Sequence, residues 1–363
     1  TEASYPHNGL GGITLGPDGK LYVGQGENLG ESYTLVAADG SSQSGGGEGG
    51  NVFRVGADGS HLERIATGFW NPFGLHFDSA GRLWTVGNDP DAMPPCRLLH
   101  VIEGGDYGFQ FRFGRAGTHP LQSWNGELPG TLPMAAGTGE APCAVAEHDG
   151  HLWVTSWGSN RIERYRLSPE GATVKATMET IVQGGPLFRP VGMAVARDGS
   201  IYITDWVDRS YPVHGKGRLW RLSRADSSED GQEQVDLAPL SSQERLAQQL
   251  LSDPALSIAA RLDALDDDDP FVRHAAAIGL VSRGQLDEVK RDSASTARGR
   301  VGLLTAWRWR ELCHPDSLTE QQRSEWIRWG LADRSPQVAV AAIRWATERN
   351  CVDESAEIKG LLQ

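Results

Sequence analysis

TGFWNPFGLHFDSAGRLWTVGNDPDAMPPCRLLHVIEGGDYG, residues 67–108, is the stretch that decides the fold of this chain. Its middle reads as an apolar strand, a short turn that contains Gly81 and a second apolar strand, and CRLLHV then supplies a third strand. Glycine suits the positive φ of a tight turn, and aromatic or β-branched residues at alternate positions suit a half-buried strand. The stretch therefore predicts a small antiparallel sheet built around a hairpin.

The same hairpin pattern recurs along the first 225 residues. Besides residues 78–88, it occurs as GPDGKLYVGQG at 16–26, EHDGHLWVTSW at 147–157 and ARDGSIYITDW at 196–206. An outer strand follows each copy (NVFRV, CRLLHV, NRIERYRL and GRLWRL), and an approach strand with a central glycine precedes three of them (GGITL, PFGLHF and PVGMAV). Such a repeated unit is typical of β-propeller blades. We therefore predict a β-propeller with about four visible blades of about six, the first ones preceding residue 1.

The composition changes after the fourth copy. We interpret residues 225–240 as a polar linker, and from Ser241 the apolar period shifts from two residues to about 3.6. DPFVRHAAAIGL, residues 269–280, has an acidic N-cap run, a proline in the first turn and small or aliphatic residues on one face. This segment resembles a HEAT repeat. We therefore predict a mainly β plus α chain, with an N-terminally incomplete propeller at 1–224 and a HEAT-like α-solenoid of about three helix pairs at 241–363.

Tryptophans are unusually frequent in the helical segment. Core packing explains them better than a cofactor role, because they recur at helical spacing. They are Trp307, Trp309, Trp326, Trp329 and Trp345.

Composition and cysteine usage exclude several function classes. The formal net charge of -13 argues against nucleic acid as a partner, and no run approaches the roughly 18 apolar residues of a membrane span. The four cysteines show no CxxC or CxxCH spacing, so neither a zinc site nor a haem attachment is predicted. We expect isolated buried thiols, although Cys96 and Cys143 could pair in an exported protein. Because the chain opens without Met and without the order of a signal peptide, we expect a processed or truncated piece.

The loops at the strand entrances hold the residues that could do chemistry. His7 lies in a glycine-rich loop and is a candidate general base, although a surface or capping role is the simpler interpretation. Arg189 and Arg161 could each bind a carboxylate, or could be solvated residues at strand ends. Asp89 and Asp91 lie among prolines in an oxygen-rich turn that suits Ca²⁺, although the spacing is not that of an EF-hand.

Long connections separate the repeats, notably residues 27–50 and 113–142. The first contains GGGEGG at 45–50, which lacks the following helix and the Lys-Ser/Thr pair of a phosphate-binding loop. We therefore interpret this glycine run as a flexible linker.

Three motifs in order, PHNGLGGITLGPDGKLYVGQGEN, TGFWNPFGLHFDSAGRLW and VIEGGDYGF, resemble the soluble quinoprotein glucose dehydrogenase and aldose sugar or sorbosone dehydrogenase group. These are six-bladed propellers that use pyrroloquinoline quinone (PQQ) and Ca²⁺. The later RPVGMAVARDGSIYITDWVDRSYPVHGKGRLWRL, followed by HEAT-like helices, is similar to large bacterial exported proteins in which such a propeller precedes HEAT repeats and often a CxxCH haem domain. The resemblance implies a periplasmic or exported location.

The resemblance also implies roles for the catalytic residues. His7 would take the proton from the C1 hydroxyl of the sugar while hydride passes to the quinone. Asn71 matches the second position of the Arg-Asn-Pro motif of the family, but Trp70 stands where the family has arginine. An aromatic ring in the cofactor site can stack, but it cannot donate a charged fork to a developing oxyanion.

Cofactor and metal positions follow from the same resemblance. The carbonyl groups that bind the Ca²⁺ of the cofactor fall at Asp89 and Pro90, and Tyr107 matches a tyrosine of the GG-x-YG motif that we assign to the metal site. Arg189 and Arg161 match basic positions that hold the carboxylates of the cofactor. A lysine of the family is replaced by Asn160.

Two functions therefore remain open at this point. The first is a PQQ- and Ca²⁺-dependent dehydrogenase of a sugar or related alcohol, which would pass electrons to a cytochrome or another partner protein. The second is a propeller that has lost cofactor chemistry and binds carbohydrate or protein, with the helical surface as a docking site. His7, Asn71, Asp89 and Arg189 favour the first, whereas Trp70 and Asn160 favour the second.

Overall fold

A computed structural model describes residues 9–90, 93–210, 212–223 and 237–349. These residues form strands first and helices afterwards, in the order expected from the sequence. The strands are β1 (Leu10–Leu15), β2 (Leu21–Gln25), β3 (Tyr33–Val36), β4 (Ser42–Gly45), β5 (Gly50–Val55), β6 (Glu63–Phe69), β7 (Asn71–Phe77), β8 (Leu83–Asn88), β9 (Cys96–Val101), β10 (Gly105–Asp106), β11 (Ala136–Thr138), β12 (Pro142–His148), β13 (His151–Ser156), β14 (Arg161–Glu170), β15 (Thr173–Gln183), β16 (Pro190–Val195), β17 (Ile201–Asp205) and β18 (Arg218–Leu222). The α-helices are α1 (Ser242–Ser252), α2 (Ile258–Ala264), α3 (Pro270–Ser282), α4 (Ala297–Cys313), α5 (Glu320–Leu331) and α6 (Pro336–Glu348).

Four antiparallel sheets follow one another along the chain. Sheet 1 has the order β1-β2-β5-β6, with β10 added parallel to β6, and sheet 2 has the order β7-β8-β9-β11. Sheet 3 has the order β12-β13-β14-β15, and sheet 4 has the order β16-β17-β18. Approach strand, hairpin and outer strand therefore occur in each sheet in the predicted order. The number of sheets in a complete ring and the HEAT identity of the helices stay predictions.

Local turn chemistry explains why the hairpins form where the sequence predicts them. The carboxylates of Asp18, Asp78 and Asp198 each accept hydrogen bonds from backbone N–H groups two to four residues later. Such Asx turns are a preferred use of aspartate before glycine. The hairpins β1–β2, β7–β8, β12–β13 and β16–β17 confirm the four predicted copies.

Glycines in the inner strands allow the sheets to pack closely. A Cβ atom on Gly12 would collide with the carbonyl oxygen of Phe73 in β7, and one on Gly74 would lie 2.8 Å from the backbone nitrogen of Val145 in β12. Strand glycines often mark such close approaches of two backbones. The inner strands β1, β7, β12 and β16 consequently lie side by side in sequence order.

The loop between β2 and β5 is built differently from the prediction. It contains the β3–β4 hairpin, and its GGGEGG run is not a flexible linker. Glu48, within that run, is 4% exposed and accepts hydrogen bonds from the Tyr33 hydroxyl and the Gly46 N–H, both 2.5 Å long. The buried Arg64 guanidinium lies 3.5 Å from the same carboxylate. The flexible-linker interpretation was wrong because a buried, fully bonded carboxylate holds this glycine run in place.

The helices start where the sequence predicts them. Asp269 caps α3 by accepting from the N–H groups of Phe271 and Val272, and Pro270 occupies the first turn. Ser241 and Glu244 form a capping box at the start of α1. Of the five tryptophans of this segment, Trp307, Trp309, Trp326 and Trp345 are buried. Trp329 is partly buried and packs against the hydrophobic core that contains Trp307, Trp326 and Trp345.

One hydrophobic core joins the sheets to the helices. Ile65 and Leu99 from the sheets belong to the same buried cluster as Phe271, Ala275 and Leu303 from the helices. Ion pairs cross the same boundary, as described below for Asp106. The predicted divisions at 224 and 240 stay predictions, and most of the intervening linker lies outside the described residues. In the described ranges, no helix is long and apolar enough to cross a membrane.

Candidate functional site

The candidate site lies where the inner strands begin, a region we call the loop face. The pairs β7–β8, β12–β13 and β16–β17 are antiparallel hairpins, so the start of each inner strand lies beside the end of the strand that follows it. Because the inner strands also lie side by side, these starts and ends all lie at the same edge of the sheets. Asn71 begins β7, Asp89 follows β8, Glu140 precedes β12 and Arg189 precedes β16. The topology thus gathers residues from sheets 2, 3 and 4.

An acidic and thiol cluster occupies the part of the loop face between sheets 2 and 3. The Cys96 Sγ donates to Asp89 Oδ1 at 2.9 Å and lies 3.6 Å from Glu140 Oε2. One ligand atom from each residue lies within 4.8 Å of the others, an arrangement found at no second place in the described residues. Two carboxylates suit a hard cation such as Ca²⁺, whereas a thiolate would suit a softer metal.

The protonation of this cluster follows from its burial. Burial, the Asp89 carboxylate and the Glu140 carboxylate raise the pKa of the Cys96 thiol, so the thiol stays protonated and donates. Burial and the charge of Asp89 also raise the pKa of Glu140, while Arg209 acts against them. Two carboxylates held this close together favour uptake of a cation or a proton, because their like charges repel.

A buried arginine is connected to Glu140 through the backbone of Gly158. Gly158 N–H donates to the Glu140 carbonyl at 2.8 Å, and Arg189 Nη1 donates to the carbonyls of Trp157 at 2.9 Å and Gly158 at 3.1 Å. Arg189 is 6% exposed, and its Nε has no hydrogen-bond partner in the described part of the chain. Burial and the charge of Arg209 lower its pKa. The result is a fixed cation with an unused donor, which can bind an anion.

Asp205 fixes the backbone that carries this arginine. Its Oδ1 accepts from the Arg189 N–H at 2.7 Å, and its Oδ2 accepts from Arg218 and from Trp220. Because Asp205 is 2% exposed, this network holds the start of β16 rigidly.

Arg161 lies at the same edge, but a partner already occupies its guanidinium. Its Nε donates to Glu163 at 2.5 Å, and Glu163 is fully buried. The same carboxylate accepts from Gly139 N–H and from the Tyr165 hydroxyl. Sequence reasoning missed Glu163, although it follows Arg161 by two residues on the same face of β14. Any cofactor carboxylate at Arg161 would share that guanidinium with Glu163.

Trp70 and Asn71 lie side by side in different surroundings. The Trp70 ring is buried among aromatic side chains, edge-on to Phe109 at 5.1 Å and stacked on Phe111 at 6.1 Å. Asn71 is 1% exposed and pairs with Asn88, the residue before Asp89, across the β7–β8 ladder. Asn71 therefore lies beside the strand end that leads into Asp89 of the acidic and thiol cluster. The ring of Trp70, in contrast, belongs to an apolar core.

Tyr107 lies on the other side of sheet 2. Its carbonyl accepts from Arg97 Nη1 at 2.7 Å, and Arg97 projects from the face of β9 opposite to Cys96 because strand side chains alternate. The Tyr107 hydroxyl donates to the His100 carbonyl and accepts from Ile102 N–H, in a fully buried site. The structure does not bring Tyr107 to the acidic and thiol cluster.

The other candidate residues do not join the acidic and thiol cluster in the described part of the chain. Pro90 is buried, and its carbonyl accepts from Met93 N–H at 3.2 Å. His7 and Asp91 lie outside the described residues. Cys96 and Cys143 are both free thiols, so the structure does not join them in a disulfide.

Sequence reasoning missed Cys96 and Glu140 as site residues. Glu140 precedes β12, an inner strand that the glycine pattern did not reveal because Ala144 stands at the position of Gly74. The signal was the hairpin at 147–157, which required an approach strand immediately before it.

The chain was compared with known protein families, curated proteins and solved structures. No family model matches the chain, and no curated protein matches it. Among solved structures, it is similar to an oxidoreductase assigned as a glucose dehydrogenase from Thermus thermophilus, with 22% identity, a TM-score of 0.46 and coverage of 60% of this chain and 66% of that one. It is also similar to the PQQ-bound aldose sugar dehydrogenase from Streptomyces coelicolor, with 23% identity, a TM-score of 0.44 and coverage of 58% and 61%. A third similar structure is the apo-form of the soluble aldose sugar dehydrogenase from Escherichia coli, with 14% identity, a TM-score of 0.37 and coverage of 56% of this chain and 80% of that one.

The chain spans less than two thirds of the length of the first two of these structures. With TM-scores below 0.5, no functional assignment rests on these similarities.

Proposed function

We propose that this chain belongs to a quinone-dependent dehydrogenase that oxidises a sugar or related alcohol, with PQQ and Ca²⁺ bound at the loop face. The observation that carries the proposal is the pair of carboxylates of Asp89 and Glu140 at the same face as the buried Arg189, whose Nε has no partner among the described residues and whose Nη1 binds the Gly158 carbonyl. A cofactor that bears carboxylates and chelates a divalent cation needs an anion-binding group beside a cation-binding group. The motifs at residues 6–28, 67–84 and 101–109 support the same assignment.

Under this proposal, some residues of the chain bind the cation and the cofactor, and others act on the substrate. Asp89 and Glu140 supply carboxylate oxygens to the cation, with the Pro90 carbonyl as a further oxygen. Arg189 binds a carboxylate of the cofactor, and Arg161 assists while it remains paired with Glu163. When bound, the quinone supplies the hydride acceptor. Trp70 as a cofactor contact and Tyr107 as a metal ligand are not carried into this proposal, because both side chains pack elsewhere.

Two residues act on the substrate. His7 takes the proton from the hydroxyl that is oxidised, since a neutral imidazole is the usual base for that step near neutral pH. Asn71, buried at the start of β7, orients the substrate oxygen through its amide. The full protein would be an exported, six-bladed propeller with HEAT-like helices, which passes electrons to a cytochrome or a similar acceptor.

Reconstitution tests the proposal. The protein is incubated with PQQ and Ca²⁺ and desalted, and retained quinone absorbance and turnover of aldoses with an artificial electron acceptor are measured. We expect Arg189→Lys to reduce quinone retention about tenfold or more, and Arg197→Lys, at an exposed turn, to leave it unchanged. Absence of both retained quinone and turnover would contradict the proposal. A His7→Ala variant with full activity would remove His7 as the base.

A second candidate is a non-catalytic module that binds carbohydrate or protein. Asn160 favours it, because its Nδ2 donates to the Phe188 carbonyl at 2.6 Å and so serves the loop backbone where the family has a lysine. Binding of an aldose or a glycan by the quinone-free protein, measured by calorimetry and unaffected by Arg189→Lys, would support this module over the enzyme.

A further inference from the structure

Cys96 lies in contact with both carboxylates of the acidic and thiol cluster. Its Sγ is 2.9 Å from Asp89 Oδ1 and 3.6 Å from Glu140 Oε2, and one ligand atom from each residue lies within 4.8 Å of the others. Cys96 is 2% exposed, so its sulfur is held in the cluster rather than turned to solvent. An ion that contacts both carboxylates therefore also meets the sulfur.

The distances in the cluster suit a small ion with mixed sulfur and oxygen ligands. With metal–sulfur bonds of about 2.3 Å and metal–oxygen bonds of about 2.0–2.2 Å, a tetrahedral Zn²⁺ separates its sulfur and oxygen ligands by about 3.6 Å. The distance from Cys96 Sγ to Glu140 Oε2 is 3.6 Å, and the contact with Asp89 is shorter because the thiol donates a hydrogen bond there. Ca²⁺, in contrast, prefers a shell made of oxygen ligands alone.

Two buried oxygen atoms at the loop face have no hydrogen-bond partner among the described residues. They are Asn88 Oδ1 at the end of β8 and Ser156 Oγ at the end of β13, and Ser156 is fully buried. Because side chains alternate along a strand, Asn88 shares its face of β8 with Val86, and Ser156 shares its face of β13 with Val154. Val86 and Val154 belong to one buried cluster between sheets 2 and 3, so both oxygens face the gap between these sheets.

Cys96 faces the same gap. It shares its face of β9 with Leu98, which belongs to the same buried cluster. The β8–β9 register runs to Gly87 and Arg97, and Asn88 and Cys96 are the next positions along it. Buried polar atoms normally have a hydrogen-bond partner, and a metal ion with its bound water would supply one to both oxygens.

We propose that Cys96, Asp89 and Glu140 bind a thiophilic divalent cation of the Zn²⁺ class, which competes with Ca²⁺ for this cluster. The ion takes the place of the Cys96 thiol proton, which is released to solvent, so that the sulfur binds as a thiolate. Asn88 and Ser156 hold the water that completes the coordination shell. The inference rests on the carboxylate pair of the proposed function but not on the quinone, because a thiolate ligand can be detected in the quinone-free protein.

Cobalt binding to the quinone-free protein tests the proposal. The intact chain is treated with a chelator, desalted with a reductant that does not bind metals, and titrated with Co²⁺, whose bond to a thiolate gives charge-transfer absorbance in the near ultraviolet. We expect this absorbance to saturate at a stoichiometric amount of Co²⁺ and to be removed by an equal amount of Zn²⁺, but not by the same amount of Ca²⁺. Cys96→Ser should lose the absorbance. Cys143→Ser is the matched control and should keep it, because Cys143 is a free thiol outside the cluster.

A second variant keeps the thiol and removes a carboxylate. Glu140 is exposed, so Glu140→Gln should fold even if Cys96→Ser does not. We expect Glu140→Gln to weaken Co²⁺ binding about tenfold or more, the cost usual even for residues that only support a metal ligand, while the thiolate absorbance returns at saturation. Glu170→Gln, at the exposed end of β14, is the control and should leave the affinity unchanged.

Any of three results would overturn the proposal. The first is no thiolate absorbance at saturating Co²⁺, or an absorbance that Cys96→Ser retains. The second is displacement of Co²⁺ by Ca²⁺ as readily as by Zn²⁺. The third is a Co²⁺ affinity that Glu140→Gln leaves unchanged. Failure to retain quinone in the reconstitution experiment would contradict the proposed function but not this inference.

Discussion

Asp106 offers the sharpest test of how the helices are attached to the sheets. Its carboxylate is 2% exposed, at the end of β10, and lies 2.7 Å from Arg308 Nη1 of α4 and 2.9 Å from Arg344 Nη1 of α6. It also accepts from Gly108 N–H at 2.8 Å. We predict that Asp106→Asn strongly destabilises the whole protein, because the two buried arginines lose the carboxylate that they share.

The size of the effect follows from what remains after the substitution. Removing one partner of a buried ion pair costs about 3–5 kcal/mol, since a charge is left buried without compensation. Glu348 still pairs with Arg308 at 2.6 Å and lies 3.5 Å from Arg344, and the amide oxygen can still accept from Gly108. We therefore expect the lower end, a loss of about 3 kcal/mol in the free energy of unfolding.

Urea denaturation followed by tryptophan fluorescence measures this loss. Asp208→Asn is the matched control, because Asp208 pairs with Lys216 at 2.6 Å on the surface and should contribute little. One cooperative transition is expected, since sheets and helices share a core. An Asp106→Asn loss below about 1 kcal/mol, or a loss as large in the control, would refute this account of the interface.

The pH dependence of the same contact has a definite sign. Burial alone would raise the pKa of Asp106, but Arg344 and Arg308 overcome it and hold the pKa below its usual range. A carboxyl group with a lowered folded pKa stabilises the protein above its unfolded pKa of about 3.9, and this contribution is lost as the pH falls further. Asp106→Asn should therefore reduce the acid sensitivity of unfolding below about pH 4.

Three further predictions test other parts of the structure. Gly74→Ala should lower the free energy of unfolding, measured by urea denaturation, by about 1–3 kcal/mol, because the added Cβ would meet the Val145 nitrogen. Gly185→Ala is the control and should be neutral, because no atom lies within 4 Å of its Cβ position. Equal effects of the two substitutions would contradict the close packing of β7 and β12. Burial raises the pKa of Cys143 and of Cys313 to about 12, and it raises the pKa of Cys96 as well. A Cys351→Ser protein should therefore react with a thiol reagent at pH 8 only on unfolding. Rapid labelling of the native protein would contradict this prediction. Burial lowers the pKa of His274 to about 4, so the free energy of unfolding should fall between about pH 6.5 and 4, because the unfolded chain takes up a proton there and the folded chain does not. His274→Gln should make the free energy of unfolding less dependent on pH in this range, whereas the control His61→Gln should not. An unchanged pH dependence in His274→Gln would exclude His274 as its cause.

Local chemistry explains what could be predicted from the sequence. The hairpins at Asp18, Asp78 and Asp198 form through hydrogen bonds within two to four residues, so their signals lie in adjacent letters. The start of α3 is equally local, because Asp269 caps the helix that Pro270 begins. Among the fourth strands, β6 and β15 also pair through local hairpins, whereas β11 pairs with β9 across a long connection and so has no local signal.

The sequence by itself determined the repeat, the order of strands before helices, and the strand entrances as the place for candidate residues such as Asp89 and Arg189. Only the tertiary structure decided which side chains meet there. Cys96 and Glu140, 44 residues apart, approach because β9 pairs with β11, whose last residue, Thr138, lies opposite Cys96 two positions before Glu140. The tertiary structure also buries the Tyr107 hydroxyl against the His100 carbonyl, and it leaves the Arg189 Nε without a partner among the described residues. Contacts between sheets depend on the distance between backbones, which no local pattern encodes.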